Sequence, residues 1–401
     1  MGDTVFSTLQ ENSLRVFSLI QKYGPVAKTE LCAMLDKKMT PVNRMITPLE
    51  EGSLVIAHGK GDSTGGRKPV LYDVDPNHYR MGAVNISSTY CEVAVMNLKM
   101  EILQIERFAM TSLDLPEAVI DRIAGLLEDH IKSLGIERSR MLGVGLTVFS
   151  SFDAGSGRLA RPIMLFVNER WLQVPVAAML AQACSMAVVM EKGTNAAAQL
   201  EYLYGAGKQS KRMLYILCAM NIRSAVIFEG RIISTAVNYE DAFGHMTVDM
   251  DGERCECGNY GCVATYTSIP AMLKNLAAEI KKGRSCSIPK LPDDILFKDL
   301  CEAVEHGDVL AKEVVSRSAS VMGTAMANYI NLFAPDLIIL SGLVIRDCSL
   351  YYDVAVETAH RKTELLRKNG MTRFEKFGAF QSPITAGAGS VLIERLLHGE
   401  S

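Results

Sequence analysis

Apolar residues at the start of the chain recur at helical spacing. Leu14, Phe17 and Ile20, flanked by Val16 and Leu19, make one face that stops at Tyr23-Gly24-Pro25. A second short helix follows, with Leu31, Met34 and Leu35 on one side. In the third, Thr40 is the expected N-cap and Pro41 the first helical residue. Val42, Met45, Ile46 and Leu49 are spaced i, i+3, i+4, i+7, which predicts a buried face and leaves Asn43, Arg44 and Thr47 opposite. Pro48 cannot donate to the carbonyl of Arg44, so a kink or an early end is expected there. After Glu51-Gly52 the period changes. Residues 53–58 and 69–74 read as two strands joined by a glycine-rich, basic stretch carrying Lys60, Arg67 and Lys68.

Beyond residue 80 strands and helices alternate, which indicates α/β lobes. Residues 79–98 alternate in short β-like runs, 141–149 form a buried strand and 102–105 a weaker one. Residues 214–228 give further strand and 336–340 a short apolar one. Helical spacing runs over 116–134, 171–184 and 310–333, and Ala386-Gly387-Ala388-Gly389 opens a last helix.

Composition narrows the class. At 401 residues the chain suits two or three units. A net charge of −3 advertises no global attraction for nucleic acid, so any such surface is local. The polar, acidic start predicts no export leader, and no apolar run reaches the length of a membrane span. Ten cysteines without a leader suggest reduced thiols in a cytoplasm.

Candidate chemistry concentrates between His245 and Cys262. His245, Cys255, Cys257 and Cys262 offer an imidazole and three thiolates, a closed tetrahedral donor set for one structural zinc. Gly258 and Gly261 let the chain turn back so that Cys262 reaches the other two cysteines. The bland alternative is a loop with free or paired cysteines.

Three helices followed by a hairpin with a basic tip outline a winged helix-turn-helix, whose third helix enters the major groove of double-stranded DNA. Candidate contacts are Thr40, Val42, Asn43, Arg44 and Thr47 on that helix, with Lys60, Arg67 and Lys68 on the wing. Asn pairs bidentately with adenine and Arg with guanine, whereas wing cations suit phosphates or a narrow minor groove. The competing reading is a protein-binding scaffold with a solvated basic loop.

These features together resemble the ROK family (repressors, open reading frames and sugar kinases), in its transcription-factor branch. The resemblance spans nearly the whole chain. It rests on the helix-turn-helix, the Gly65-Gly66-Arg67-Lys68-Pro69 wing, and the signature from Gly244-His245 to Cys262. It implies an actin-like (ribonuclease H-like) two-lobed α/β domain behind the winged helix-turn-helix, with a sugar cleft and one zinc on the four residues named. The implied division is 1–79 for the reading head, 80–196 plus 385–401 for the first lobe, and 197–384 for the second, zinc-bearing lobe. It also implies a homodimer or homotetramer on a palindromic operator, with a sugar or other small molecule as effector.

The family's kinases carry E-N-D-x-N, with the aspartate as base; the matching residues are Glu191-Lys192-Gly193-Thr194-Asn195, and glycine accepts no proton. The phosphate turn D-I-G-G-T corresponds to Asn85-Ile86-Ser87-Ser88-Thr89, and G-x-G-x-G to Ala219-Met220-Asn221-Ile222-Arg223. One glycine of the adenosine-side pair survives, in Ser341-Gly342. Two glutamates that grip sugar hydroxyls are Ala242 and Ala264, and the P-G turn is Phe149-Ser150. Only Asn195 and His245 persist as candidate ligand-binding residues. The resulting expectation is a repressor with no catalytic residues and a divergent or lost effector pocket; the alternative is a sugar kinase with an appended DNA-binding domain.

Overall fold

The structure, a computed structural model, describes residues 5–60, 69–111, 113–149, 152–153, 156–159, 169–233, 242–364, 372–380 and 382–398. The chain divides into two compact units, 1–204 with 381–401, and 205–380.

The first unit opens with helix α1 (Glu11–Tyr23), the two-residue strand β1 (Val26–Ala27), α2 (Lys28–Leu35), α3 (Met39–Glu51), β2 (Val55–Lys60) and β3 (Val70–Val74). The strands form a small antiparallel sheet in the order β1-β3-β2. Val16, Phe17, Ile20, Leu31, Val42, Ile46 and Leu49 are all completely buried, as helical spacing requires. Met34 is the exception: it stands on the exposed side of α2 while Leu31 and Leu35 fill the core. The third helix starts before Thr40, with Lys38 in the capping position, and it runs through Pro48 to Glu51 rather than ending early. Thr47 Oγ1 donates to the carbonyl of Asn43 in that stretch (3.0 Å).

The unit continues with β4 (Arg80–Ile86), β5 (Tyr90–Asn97), β6 (Ile102–Ala109), α4 (Pro116–Ser133), β7 (Met141–Val148), α5 (Val176–Cys184), β8 (Val188–Lys192) and α6 (Gly193–Tyr204). Pro175 separates α5 from a short 3-10 turn at Glu169–Trp171, so the helical spacing of 171–184 is not one helix. The sheet order is β6-β5-β4-β7-β8, with β4, β5 and β6 antiparallel and β4, β7 and β8 parallel. Val84, Ile86, Leu146 and Val148 on one face pack against Ile120, Ile123 and Leu127 of α4 and Leu180 of α5.

The second unit repeats the plan. Its elements are β9 (Arg212–Cys218), β10 (Ile222–Phe228), β11 (Arg231–Ile232), α7 (Ala264–Thr267), α8 (Ile269–Lys281), α9 (Phe297–Glu305), α10 (Val309–Phe333), β12 (Leu337–Ser341), α11 (Leu343–Asp347), α12 (Ser349–Thr363) and β13 (Arg373–Lys376). The order β11-β10-β9-β12-β13 matches the first lobe strand for strand: three antiparallel, then two more parallel to the first. The stretch 214–228 is a hairpin, closed where Ala219 N–H donates to the carbonyl of Asn221 (3.2 Å). At Gly323 on α10 a Cβ would stand 2.4 Å from the carbonyl of Ala355 on α12, so only glycine allows the two helices to approach so closely.

The last helix, α13 (Pro383–His398), returns to the first unit. A Cβ at Gly145 of β7 would lie 1.8 Å from the carbonyl of Ala388, so the helix backbone rests directly on the strand. The divisions expected at 196/197 and 384/385 both fall inside helices. The two compact units part at 204/205 and 380/381, so that both helices belong whole to the first.

Candidate nucleic-acid interface and metal centre

In the amino-terminal head, α2 ends at Leu35, Asp36 takes a left-handed conformation, and α3 begins three residues later. Glu30 Oε2 accepts the backbone N–H of Ala27 (2.7 Å), tying the start of α2. This is helix-turn-helix connectivity. Thr40, Asn43, Arg44 and Thr47 stand on the exposed face of α3, and Lys37 and Lys38 are exposed at its start. Among the described residues no carboxylate pairs with Arg44, so its guanidinium keeps its donors for another partner. Val42 does not belong with them. It is 0 % exposed in the head's core, facing away from the polar side, so it supports the helix and touches no partner. Lys60 closes β2, and its side chain lies outside the described residues, as do Arg67 and Lys68.

Among the contacts that join the head to the lobe behind it are two made by charged side chains. Asp73 of β3, almost fully buried, accepts from Lys99 Nζ in the β5–β6 turn (2.6 Å). Lys22 Nζ of α1 sits 4.0 Å from the ring centroid of Tyr202 on α6. Neither tie carries a sequence signal, because each joins residues far apart in the chain through ordinary polar types.

In the second unit, the stretch around His245 forms a compact knuckle. Bridges pair Thr247 with Cys262 and Arg254 with Tyr260. Cys255 N–H donates to the carbonyl of Asn259 (2.7 Å) and Gly258 N–H to that of Cys255 (2.9 Å). Gly261 has φ +63°, and a Cβ there would come within 1.6 Å of the Asp249 carbonyl. Asn259 Nδ2 donates to Thr247 Oγ1, and the Tyr266 hydroxyl to Asp249 Oδ2 (3.0 Å), bracing the turn from outside.

The ligand atoms of His245, Cys255, Cys257 and Cys262 all lie within 4.8 Å of one another. Cys257 and Cys262 sulfurs are 3.7 Å apart, and Cys255 Sγ is 3.5 Å from His245 Nδ1. A tetrahedral zinc with ordinary bond lengths needs edges of about 3.8 Å between sulfurs and about 3.6 Å between sulfur and nitrogen. The residues fit the ion. Burial pushes the Cys262 thiol up to about 12, with its two thiol neighbours adding to the rise, and burial also raises Cys255. At Cys257 burial acts upward too, but the Asn259 N–H and the neighbouring thiols outweigh it and lower the thiol. A cation at the centre therefore displaces protons as it binds, and its charge holds the thiolates together.

The positions matching kinase machinery have other occupations. Gly193 is the first residue of α6, and a Cβ there would press to 3.0 Å from Ile384 Cγ2. Asn195 Nδ2 donates to Glu191 Oε1 (3.2 Å), which also takes the backbone N–H of Lys192 (2.8 Å). Asn85 is buried and its Oδ1 accepts from Thr147 Oγ1 (3.2 Å). Ser87 N–H closes the β4–β5 turn onto the carbonyl of Tyr90 (2.9 Å), and Ser88 is buried. Ala219–Asn221 is the β9–β10 turn, while Ile222 and Arg223 already lie in β10. Gly342 survives for packing, since a Cβ there would meet the Cys218 carbonyl at 2.4 Å. Ser150 lies outside the described residues.

A sequence model of the ROK family matches residues 81–388. The chain is 24% identical over 340 residues to the putative xylose repressor of Caldicellulosiruptor sp. (strain Rt8B.4), spanning 82% of each. It is 24% identical over 336 residues to the DNA-binding transcriptional dual regulator NagC of Escherichia coli (strain K12), covering 83% of this chain and 80% of that one. Among solved structures, a ROK family transcriptional regulator, homolog of the E. coli MLC protein, superposes with a TM-score of 0.77 at 20% identity, over 97% of this chain and 96% of that one. The ROK hexokinase from Thermus thermophilus superposes with a TM-score of 0.63 at 19% identity, over 78% of this chain and 97% of that one.

Proposed function

The chain belongs to the ROK family, and on that premise we propose that it is a sequence-specific DNA-binding transcriptional repressor of carbohydrate-related genes, without phosphoryl-transfer activity. The observation that carries the reading is the helix-turn-helix whose α3 exposes Asn43, Arg44 and Thr47, with the Arg44 charge met by no carboxylate among the described residues. Relatives named as a putative xylose repressor and a DNA-binding transcriptional dual regulator, matched over about four-fifths of their length, support it. A glycine where the kinases keep their base supports the absence of catalysis.

In this reading α3 lies in the major groove, Asn43 and Arg44 meet base edges, and Lys60, Arg67 and Lys68 of the wing contact the backbone or minor groove. A homodimer or homotetramer in the cytoplasm presents two heads to a palindromic site. One structural zinc per chain, on His245, Cys255, Cys257 and Cys262, holds the knuckle of the second lobe. The effector is a sugar or another small molecule; Ala242 and Ala264 stand where sugar-binding members carry acids, and Asn195 and His245 are the candidate ligand-binding residues that remain.

Selection of bound duplexes from random oligonucleotides with the full chain tests the reading. Enrichment of one palindromic sequence is expected. Failure to enrich any sequence at moderate salt removes the proposal.

A further inference from the structure

Helices α6 and α13 run side by side and in parallel. Gly193 faces Ile384, Gly387 lies against the backbone of Ala196, and Gln199 Nε2 donates to the carbonyl of Ser390 (3.5 Å), each pair separated by the same stretch of chain. The approach at Gly387 is backbone on backbone: a Cβ there would stand 2.5 Å from the carbonyl of Ala196. Helices packed so closely have no slack, and one cannot move along the other without breaking the contact.

Their two ends meet different parts of the unit. The amino-terminal end lies at the carboxyl end of β8, where Asn195 is tied to Glu191 and Thr385 donates to Glu92. Ligands of open α/β sheets bind outside such strand ends. About 14 Å further along, at roughly 1.5 Å per residue, α6 reaches Tyr202, whose ring carries the Lys22 ammonium of α1. On α13 the partly buried Glu394 lies 3.4 Å from His398, and the Lys22 charge acts on its carboxyl. A further tie of the head, Asp73 with Lys99, is on neither helix.

We propose that the α6–α13 pair is the mechanical link between the carboxyl end of β8 and the reading head, with Gly193 and Ile384 as its input and Lys22 and Tyr202 as its output. The proposal rests on the reading that the amino-terminal domain binds DNA. Gly193 then has a role beyond the absence of a base. It lets the two helix starts close on one another, so a molecule that wedges them apart moves α6 against α1. Coupling between distant sites needs energetic evidence, and a double-mutant cycle supplies it.

Gly193→Ala forces Ile384 aside, and Tyr202→Leu removes the face on which Lys22 rests. Amide hydrogen exchange of α1 is read in the full chain without DNA, for each single variant, the double variant, and Gly193→Ala combined with Lys99→Ala. Each single variant is expected to speed exchange at Gln21–Tyr23 by about 5-fold or more, the lower edge of ordinary allosteric coupling. The Gly193→Ala/Tyr202→Leu pair is expected to go no further than one alone, whereas Lys99→Ala adds to Gly193→Ala. Distant sites without a shared element are additive. Additivity of Gly193→Ala with Tyr202→Leu, or an effect of Gly193→Ala confined to α6, overturns the proposal. Should Gly193→Ala not fold, Ile384→Ala perturbs the same contact by leaving a gap, and the same cycle applies. The selected duplex then reports the head's affinity. If the chain binds no DNA, the function reading fails, while the exchange cycle still decides whether the two ends are coupled.

Discussion

Two residues of α3, Val42 and Arg44, show how differently side chains two positions apart on a helix contribute. Arg44→Ala is expected to relax base preference by about 1–3 kcal/mol at one operator position, the worth of a bidentate contact. Binding to variant duplexes checks it, and an unchanged preference would move the reading element elsewhere. Val42→Ala is expected to leave base preference alone and to lower stability by about 1–3 kcal/mol through lost burial and the cavity left behind. Denaturant titration distinguishes the two. Helical spacing alone placed Val42 on the buried face, while its position beside Asn43 and Arg44 made it a candidate contact; burial decided between them. Met34 went the other way: Leu31 and Leu35 of the same helix are buried while it stands exposed.

Elements were legible where their period was long and unbroken. The 25-residue α10 and the 18-residue α4 stand within a residue of their expected limits. The start of α3 was misjudged because Thr40 is a better capping residue than Lys38, yet the turn from Asp36 already commits the chain to helix. Close approaches between elements left only glycines as a trace. Gly145→Ala is expected to cost about 1–3 kcal/mol by overpacking β7 against α13, read as a fall of several degrees in the unfolding midpoint; a midpoint equal to the parent's would mean the helix has room to move. The convergence of His245, Cys255, Cys257 and Cys262 was the most legible feature, because donor types, spacing and glycine turns all point the same way. Elemental measurement on purified protein should find one zinc per chain, and chelation should lower the unfolding midpoint. Zinc free at about a hundredfold over its Kd stabilises by about 2.7 kcal/mol. Cys257→Ser should reproduce the loss, and a chain indifferent to chelator would strip the ion of its structural part.

At the scale of the molecule, a net charge of −3 supplies no global attraction to DNA, so any such attraction comes from a local surface. Replacing Arg67 and Lys68 together by alanine should reduce the slope of log affinity against log salt by about 1.8, at roughly 0.9 per phosphate contact. An unchanged slope would remove the wing from the interface. Incubation with ATP and a panel of sugars should yield no phosphosugar; turnover above a protein-free control would restore a catalytic reading.

The sequence by itself determined the reading head, the candidate metal donor set, the glycine at position 193 and the alternation of strands and helices. All of these are written in local residue types and short spacings. Only the tertiary structure decided that two sheets share one strand order, that α6 and α13 lie in parallel contact, and that Lys22 meets Tyr202 and Asp73 meets Lys99. Those pairings join residues with no periodic relation along the chain. They follow from how whole elements close on one another, and a close-packed interior accepts few such arrangements.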